Sequence, residues 1–422
     1  MATLQNSGLW RVVLLPLALC ALASGSRAQT PNTCLDCHSV LDPPLQVTEA
    51  QFSQDIHAQK GLTCASCHGG DPTKADMEAM SKAAGFRGKI ERSQIPALCG
   101  SCHSNATLMK QYNPRLRTDQ LSEYQTSVHG KLLAKGDTKV AVCIDCHGVH
   151  DLRPPSDSRS KVYPLNVAQT CARCHADAAY MKPYGIPTDQ FEKYRTSVHY
   201  QAMAVRGDLS APTCTSCHGN HGAAPPGVDS VKGVCSNCHV FQAQMYDKSS
   251  HKAVFQSAGL PGCVVCHSNH AITHPTDAKL GTGPQGVCMQ CHAPGDHCDR
   301  SRTELLASLT KLDESIKSAD RVLDVAESSG MEVSEARLQQ DQARDSLTKA
   351  RVTIHSFLPQ LVDQDIQAGL KISAKDLQAG REALSERDYR RRGLAIAVVL
   401  ILITLAGLFL YIRKVERTPS RG

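Results

Sequence analysis

Eighteen of the twenty cysteines stand in the pattern Cys-x-x-Cys-His, which occurs nine times along the chain. Random placement of the same residues would give about 0.04 such matches, so the pattern has a chemical cause. The two thiols of this pattern can add to the vinyl groups of a haem, and the histidine that follows can bind the iron. The sequence therefore predicts nine covalent c-type haems, with iron as their metal.

The predicted attachment residues form two sets. The cysteines that would carry the thioether bonds are Cys34, Cys37, Cys64, Cys67, Cys99, Cys102, Cys143, Cys146, Cys171, Cys174, Cys214, Cys217, Cys235, Cys238, Cys263, Cys266, Cys288 and Cys291. The proximal iron ligands would be His38, His68, His103, His147, His175, His218, His239, His267 and His292. Zinc sites and disulfides also use paired cysteines, but neither gives a reason for histidine at the next position every time.

An internal repeat places further histidines at matched positions. Residues 118–129 and 188–199 share Thr-Asp-Gln at the start and Thr-Ser-Val-His at the end. Each block leads into C-x-x-C-H-x-x-H and then into a second C-x-x-C-H. We number four such two-haem repeats in chain order, with first motifs at Cys64, Cys143, Cys214 and Cys263. The motif at Cys34 is additional, and repeat 1 lacks the trailing histidine, because Gly69-Gly70-Asp71 follows His68.

Ten histidines lie outside the motifs and are candidates for the distal iron position. Seven are either the leading or the trailing histidine of a repeat: His57, His129, His150, His199, His221, His251 and His270. The other three candidates are His274, His297 and His355. Recurrence near an iron favours ligands over surface histidines. Two imidazoles saturate an iron and suit electron transfer, but the first haem has no matched partner, so one open iron remains an alternative.

Two apolar segments predict export and anchoring. Residues 1–28 have the features of a secretory signal, with an apolar run before Ser26-Arg27-Ala28 as the cleavage site. Residues 393–412 contain no charge, and twenty apolar residues are long enough to span a bilayer as a helix. The signal places the haem region on the periplasmic side of the inner membrane and leaves residues 413–422 as a cytoplasmic tail.

The segment before the predicted span has the periodicity of helices. Residues 305–326 and 336–361 each carry apolar side chains at heptad spacing. Gly330 separates the two patterns, so we expect an antiparallel helical hairpin. We expect Pro359 to kink the second helix rather than end it. A third helix is expected from about residue 373 to residue 392.

These features divide the chain into a signal peptide (1–28), a nonahaem domain (29–298), a helical stalk (299–392), a membrane helix (393–412) and a tail (413–422). Aromatic residues make up only 4%, so haems must supply much of the apolar core. The net charge of +6 would be outweighed by two propionates on each haem, and no nucleic-acid partner is predicted. Cys298 is left over, either as a buried free thiol or as a contact between copies.

The nine motifs and the C-x-x-C-H-x-x-H repeats make residues 34–292 similar to the bacterial multihaem cytochromes c. The segment Ala350-Arg351-Val352-Thr353-Ile354-His355-Ser356 also resembles the C-terminal helices of the hydroxylamine oxidoreductase and pentahaem nitrite reductase superfamily. This resemblance implies haems in close stacked pairs. The expected fold is therefore mainly α with much irregular loop, organised around stacked haems and followed by the hairpin and one transmembrane helix.

Two functions are consistent with these features. The first is a membrane-anchored cytochrome in anaerobic respiration. It would take electrons from a quinol-oxidising or b-type cytochrome partner in the bilayer and pass them to a periplasmic or outer-membrane acceptor. The alternative is an enzyme that reduces or oxidises small nitrogen or sulfur oxyanions at one open haem. Every motif ends in histidine, so the lysine-ligated haem of the nitrite reductases has no counterpart, and no catalytic residue is predicted.

Overall fold

The computed structural model describes residues 32–225, 228 and 233–417. The predicted signal peptide and residues 418–422 of the predicted tail lie outside these residues. Every regular element within them is a helix, and short helices alternate with irregular loops as far as residue 296. This confirms the predicted mainly α fold class.

Each attachment motif lies on or beside a short helical turn, which brings its two cysteines, three residues apart, to one face. The helices that carry the motifs are Cys34–His38, Cys64–His68, Ile95–His103, Cys143–His147, Pro164–His175, Cys214–His218, Val234–Asn237, Cys263–His267 and Cys288–Gln290. The other α-helices among the described residues of this region are Glu49–Phe52, Ile56–Gln59, Ala106–Tyr112, Gln120–Thr126, Val128–Ala134, Ala178–Met181, Gln190–Arg195, Val198–Tyr200, Val240–Asp247 and Ser250–Ser257. Further 3-10 turns are Met77–Met80, Arg92–Gln94, Lys182–Tyr184 and Asp277–Leu280, and Gln201–Val205 is a π-helix.

The chain forms two compact units. Of the described residues, the first unit comprises those up to Leu98 together with Gly148–Pro154, and the second comprises Cys99–His147 and those from Pro155 onward. Within the first unit, the 148–154 segment packs against the turn before Ile56. There the buried carboxylate of Asp55 accepts a hydrogen bond from Leu152 N at 2.9 Å.

Three long helices of the second unit pack together and form the stalk. They are His297–Ser328, Ser334–Thr353 and Pro359–Glu416, here called the first, second and third stalk helices. Their shared core is fully buried at Leu309, Leu312, Ala343, Val362 and Ile366. Burial of each large aliphatic side chain contributes about 1.5–3 kcal/mol. The predicted heptad positions are buried from Leu305 to Ala326 and from Ala336 to Ala350, but Ile354, Phe357 and Leu361 are only half-buried.

The break between the second and third stalk helices differs from the prediction. The second helix ends at Thr353, the 3-10 turn Ile354–Ser356 follows, and Phe357 has a left-handed φ of 55°. Pro359 opens the third helix, where its missing N–H would have had no helical partner. The expected kink at Pro359 was therefore wrong, and so was a third helix beginning near residue 373. The boundary at Gly330 between the first two helices is as expected.

The third stalk helix is continuous over 58 residues and contains the apolar segment 393–412. It is long and apolar enough to cross a membrane, and its most apolar stretch is not buried against the protein. This agrees with the predicted transmembrane helix. The 34 residues from 359 to 392 measure roughly 50 Å at 1.5 Å per residue.

Candidate haem sites

Within the two units, the described residues include seven pairs of facing histidines, each formed by a motif histidine and a histidine outside the motifs. Their ring centroids are 6.0–6.3 Å apart. A bond from a metal ion to an imidazole nitrogen is about 2 Å, and the centroid lies roughly 1 Å behind that nitrogen, so two imidazoles on one metal have centroids about 6 Å apart. The spacing therefore fits two imidazoles that share one iron.

The partner of each motif histidine depends on the position of that motif in its repeat. A leading histidine faces the motif histidine that closes its own repeat: His129 with His175, His199 with His239, and His251 with His292. A trailing histidine faces the first motif histidine of the preceding repeat: His150 with His68, His221 with His147, and His270 with His218. Each repeat therefore completes the first site of the one before it.

His355 provides the corresponding ring for the last repeat. It lies on the turn Ile354–Ser356 of the stalk, and its ring centroid is 6.0 Å from that of His267. Its Nδ1 is 2.9 Å from the carbonyl oxygen of Val352, which leaves Nε2 as the free ring nitrogen. The repeat alone could not have assigned His355, because the stalk has no motif; its helical context was the only available signal.

The remaining candidates are placed differently. His57 lies on the helix Ile56–Gln59 of the first unit, and His297 begins the first stalk helix. His274 lines a cavity of about 530 Å³ together with His267 and Lys279. Among the described residues, neither His274 nor His297 has a ring contact with a motif histidine.

The leading histidines follow buried residues that begin their helices. Asp55, Ser127 and Ser197 are 2%, 1% and 0% exposed. Their side chains accept hydrogen bonds from backbone N–H groups of the following turn at 2.8–3.1 Å. Such N-caps fix where a helix begins, and here they fix the position of the histidine two residues later.

The repeats also contact each other through one recurring backbone hydrogen bond. The residue before a leading histidine donates its N–H to a carbonyl oxygen of the following repeat. That carbonyl belongs to the residue two positions after the trailing histidine of the following repeat. The three bonds are Ile56 to Leu152 at 2.8 Å, Val128 to Ala223 at 3.3 Å, and Val198 to Ile272 at 2.8 Å. Phe357, two residues after His355, lies at the corresponding place and packs on His251, with centroids 4.3 Å apart.

Several rings are oriented through Nδ1. This atom is 2.9 Å from the Leu45 carbonyl oxygen in His38 and 3.0 Å from the Ala224 carbonyl oxygen in His218. A ring whose Nδ1–H donates to such an acceptor presents the lone pair of Nε2 to a metal. Burial, and then the facing histidine, lower the pKa of His147 and His267 to about 4. These rings are therefore neutral at pH 7, the form that binds iron.

The attachment cysteines of neighbouring motifs meet in an alternating order. First cysteines contact each other in the pairs Cys34–Cys64, Cys99–Cys143, Cys171–Cys214 and Cys235–Cys263. Second cysteines lie close enough to interact electrostatically in the pairs Cys146–Cys174, Cys217–Cys238 and Cys266–Cys291. In the second unit these contacts connect all seven motifs in chain order.

Cys298 lies at the end of this series, with its thiol against that of Cys288. It also forms a group with His292 and Asp296 whose donor atoms lie within 4.8 Å of one another. The carboxylate of Asp296 is 3.3 Å from His292 Nδ1. Because this contact uses Nδ1 and leaves Nε2 for a metal, Asp296 orients a motif histidine. The cluster therefore belongs to the last haem site.

Comparisons with known proteins concern mainly the haem region. Residues 56–176 match the family model described as cytochrome c3, and residues 19–92 match the one described as cytochrome c-type protein NrfB-like. The C-type polyheme cytochrome OmcC of Geobacter sulfurreducens is 25% identical over 212 residues, which cover 44% of this chain and 26% of that protein. The chain thus spans about a quarter of that relative. No solved structure matches this chain.

Proposed function

We propose that this chain, a bacterial multihaem cytochrome c with covalently bound haem c, carries nine haems and transfers electrons along them between a membrane donor and a periplasmic or outer-membrane acceptor. The count of nine is supported by nine intact motifs, each with both cysteines and its histidine. When bound, the haems supply the one-electron chemistry. The protein holds them, selects their axial ligands and sets their spacing.

The seven facing histidine pairs are proposed as axial ligand pairs, and this observation carries the proposal. An iron held by two imidazoles has no position left for a substrate, so these sites favour electron transfer over catalysis. His57 shares the register of the other leading histidines, follows a buried cap, and is proposed as a further distal ligand. His274 and His297 are not proposed as ligands.

The order of cysteine contacts supports a continuous conducting path. Each attachment sulfur would be bonded to a porphyrin edge, so sulfurs in contact require two porphyrin edges to be adjacent. Electron tunnelling slows exponentially as the separation between edges grows, and adjacent edges therefore transfer rapidly. In the second unit the proposed path runs from the motif at Cys99 to the motif at Cys288.

The location and the partners are proposed from the chemistry of the two ends of the chain. The apolar part of the third stalk helix supports anchoring in a bilayer. The signal-like segment 1–28 supports export of the haem region to the periplasmic face of the inner membrane. A quinol-oxidising or b-type cytochrome partner in the bilayer would supply electrons, and a soluble or outer-membrane redox protein would accept them.

A potentiometric titration of the detergent-solubilised holoprotein tests this proposal. The pyridine haemochrome assay should give nine haems per chain. Their potentials should overlap one another and extend low enough to equilibrate with a soluble quinol analogue. Nine haems with high, well-separated potentials that do not exchange with the quinol would contradict the quinol-linked role. Fewer haems would contradict the predicted count.

A further inference from the structure

We infer that the iron of the first haem, attached at Cys34 and Cys37, lacks a protein ligand on its distal side and binds a small exogenous ligand of the size of carbon monoxide or nitric oxide. This inference rests on the proposed haem function. It concerns the one motif for which neither the repeat nor the fold supplies a second imidazole.

His38 has the arrangement of a proximal ligand. It ends the helix Cys34–His38, and its Nδ1 is 2.9 Å from the carbonyl oxygen of Leu45. This is the same kind of contact that orients His218, whose ring does face a second imidazole. The proximal side of the first site is therefore built like the others.

The distal side is different. All nineteen histidines lie within the described residues. Seven motif histidines face a partner ring at 6.0–6.3 Å, but no ring in the described part of the chain contacts that of His38. A second histidine therefore cannot fill the distal position of the first haem, as it is proposed to do at the other sites.

The pairing rule identifies the residue that replaces the missing ligand. A trailing histidine stands three residues after a motif histidine and faces the first motif of the preceding repeat. Three residues after His68 the chain has Asp71. The motif that precedes repeat 1 is the one at Cys34. Asp71 thus occupies the register of the distal ligand of the first haem.

The backbone around Asp71 differs from that of the other repeats. Gly70 has a φ of 87°, and a Cβ there would lie 2.5 Å from the Ala79 carbonyl oxygen. Asp71 donates its N–H to the same carbonyl at 3.0 Å. The positive φ of Gly70 has no counterpart at Val149, Asn220 or Asn269 in the other repeats, so the backbone conformation before position 71 is different. Position 71 therefore has neither the imidazole of a trailing histidine nor the backbone conformation that precedes one.

The same segment nevertheless remains beside the first motif. Thr33, which precedes Cys34, donates from its N–H to the Pro72 carbonyl oxygen at 3.0 Å and from its hydroxyl to the Lys74 carbonyl oxygen at 2.5 Å. The Asp71 carboxylate accepts hydrogen bonds from the Thr73 N–H at 3.0 Å and from its hydroxyl at 2.6 Å. A carboxylate held by its own loop is a poor replacement for imidazole, and the distal position is left for a small ligand.

Carbon monoxide added to the dithionite-reduced holoprotein tests the inference, because it binds ferrous haem only where a coordination position is open. We expect a Soret shift that corresponds to one haem in nine, and a high-spin signal from one ferric haem in nine by electron paramagnetic resonance. Nine low-spin haems without carbon monoxide binding would overturn the inference, since a methionine or the amino terminus would then fill the position.

Two matched double variants locate the site. Cys34→Ser with Cys37→Ser removes the first haem and should abolish carbon monoxide binding, leaving eight low-spin haems. Cys288→Ser with Cys291→Ser removes the last haem and should leave binding unchanged. Binding that survives loss of the first haem would overturn the assignment.

A second variant retains both attachment cysteines of the first haem, in case the double variant does not fold. His38→Lys changes only the proximal ligand of that haem. It should shift the absorption band of the carbon monoxide complex, and an unchanged band would place the open iron elsewhere. The two proposals fail in different measurements. Haem potentials unsuited to quinol would contradict the electron-transfer proposal, but one carbon monoxide bound per nine haems would still support the open iron.

Discussion

At the residue scale, the facing histidines connect parts of the chain that are far apart in sequence. His68 faces His150, and His267 faces His355. In the proposed coordination each iron is a cross-link between such segments. Cross-links of this kind stabilise a chain that has few large side chains with which to build a core.

His355→Ala tests the proposed ligand that comes from the stalk. Removal of this imidazole should convert the haem attached at Cys263 from low-spin to high-spin and allow it to bind carbon monoxide. The measurement is electron paramagnetic resonance of the oxidised protein, with carbon monoxide binding after reduction. One additional high-spin iron is expected.

His274→Ala is the matched control for this variant. His274 lies in the same part of the second unit and lines a cavity with His267, yet it has no ring contact with a motif histidine among the described residues. The spectrum should therefore be unchanged. A high-spin signal from His274→Ala, with none from His355→Ala, would reverse the assignment.

The sequence predicts which residues take part in these sites better than it predicts their partners. Repetition identified leading and trailing histidines, because matched positions recur near each motif. It could not identify partners, because a trailing histidine serves the preceding repeat, at a distance that depends on how repeats stack. His355 shows the limit most clearly: it lies in the stalk, outside every repeat, and only the fold brings its ring to His267.

Asp376 is a buried acid in the third stalk helix. Its side chain is 1% exposed, and Oδ2 has no hydrogen-bond partner among the described residues. Burial raises the pKa of this carboxyl above 3.8. A carboxyl whose pKa is higher in the folded than in the unfolded protein stabilises the folded state below pH 3.8. This stabilisation is lost as the pH rises through the folded-state pKa. Ionised Asp376 therefore destabilises the stalk at neutral pH.

Asp376→Asn should raise the free energy of unfolding at pH 7 by about 1–2 kcal/mol, because it removes a buried charge. The gain should shrink towards pH 3, where Asp376 is protonated in both states. Thermal unfolding followed by circular dichroism over this pH range measures both effects. Asp363→Asn, at an exposed site on the same helix, is the control and should have little effect. Equal gains at pH 3 and pH 7 would contradict the explanation.

At the scale of elements, Arg302 connects the first stalk helix to the segment that carries the last attachment motif. This side chain is 8% exposed and donates to the Leu280 carbonyl oxygen at 2.8 Å, while its Nε is 3.0 Å from Asp299 Oδ1. Leu280 belongs to the core of the stalk, and Cys288 packs against that core. Arg302 therefore connects the packing of the stalk to the environment of the last haem.

Arg302→Ala should lower the free energy of unfolding by about 2 kcal/mol, because it leaves a buried carbonyl oxygen without its donor. It should also alter the electron paramagnetic resonance signal of the haem attached at Cys288. Arg321→Ala changes an exposed arginine on the same helix and should alter neither quantity. A loss of stability without a change in the haem signal would show that the two are not connected.

The end of the second stalk helix shows why element boundaries were harder to predict than elements. The heptad pattern continued past the helix end, because apolar residues of the third helix fell into the same register. The ending is caused by a left-handed Phe357 and by Pro359 in the first turn of the next helix. Proline is favoured at that position, so the prediction of a kink gave too little weight to this alternative.

At the scale of the molecule, the stalk would separate the last haem from a bilayer crossed by the apolar segment. The third stalk helix begins beside the sites at Cys263 and Cys288, and its apolar segment starts 34 residues later. This length corresponds to roughly 50 Å of helix. Tunnelling across such a distance without an intermediate cofactor is too slow for turnover, so in the proposed function a donor would have to carry electrons out to the haems.

The expected consequence can be measured in liposomes that contain only this protein and a long-chain quinol. The quinol should not reduce the haems, because it stays in the bilayer, whereas dithionite in the outer solution should reduce all of them. Stopped-flow absorbance of the haem bands follows both reactions. Rapid reduction by the quinol in the absence of a partner would contradict the spacing inferred from the stalk.

The direction of the histidine pairing also gives the molecule an order of maturation. In the proposed coordination, the first site of each repeat is completed by the segment that follows, and the last by His355. A chain made from its N-terminus would thus always carry one unfinished iron near its growing end. Ligation would advance in steps behind synthesis, and the final step would join the haem region to the stalk. A chain cut short before residue 355 would leave the iron at Cys263 without its distal imidazole.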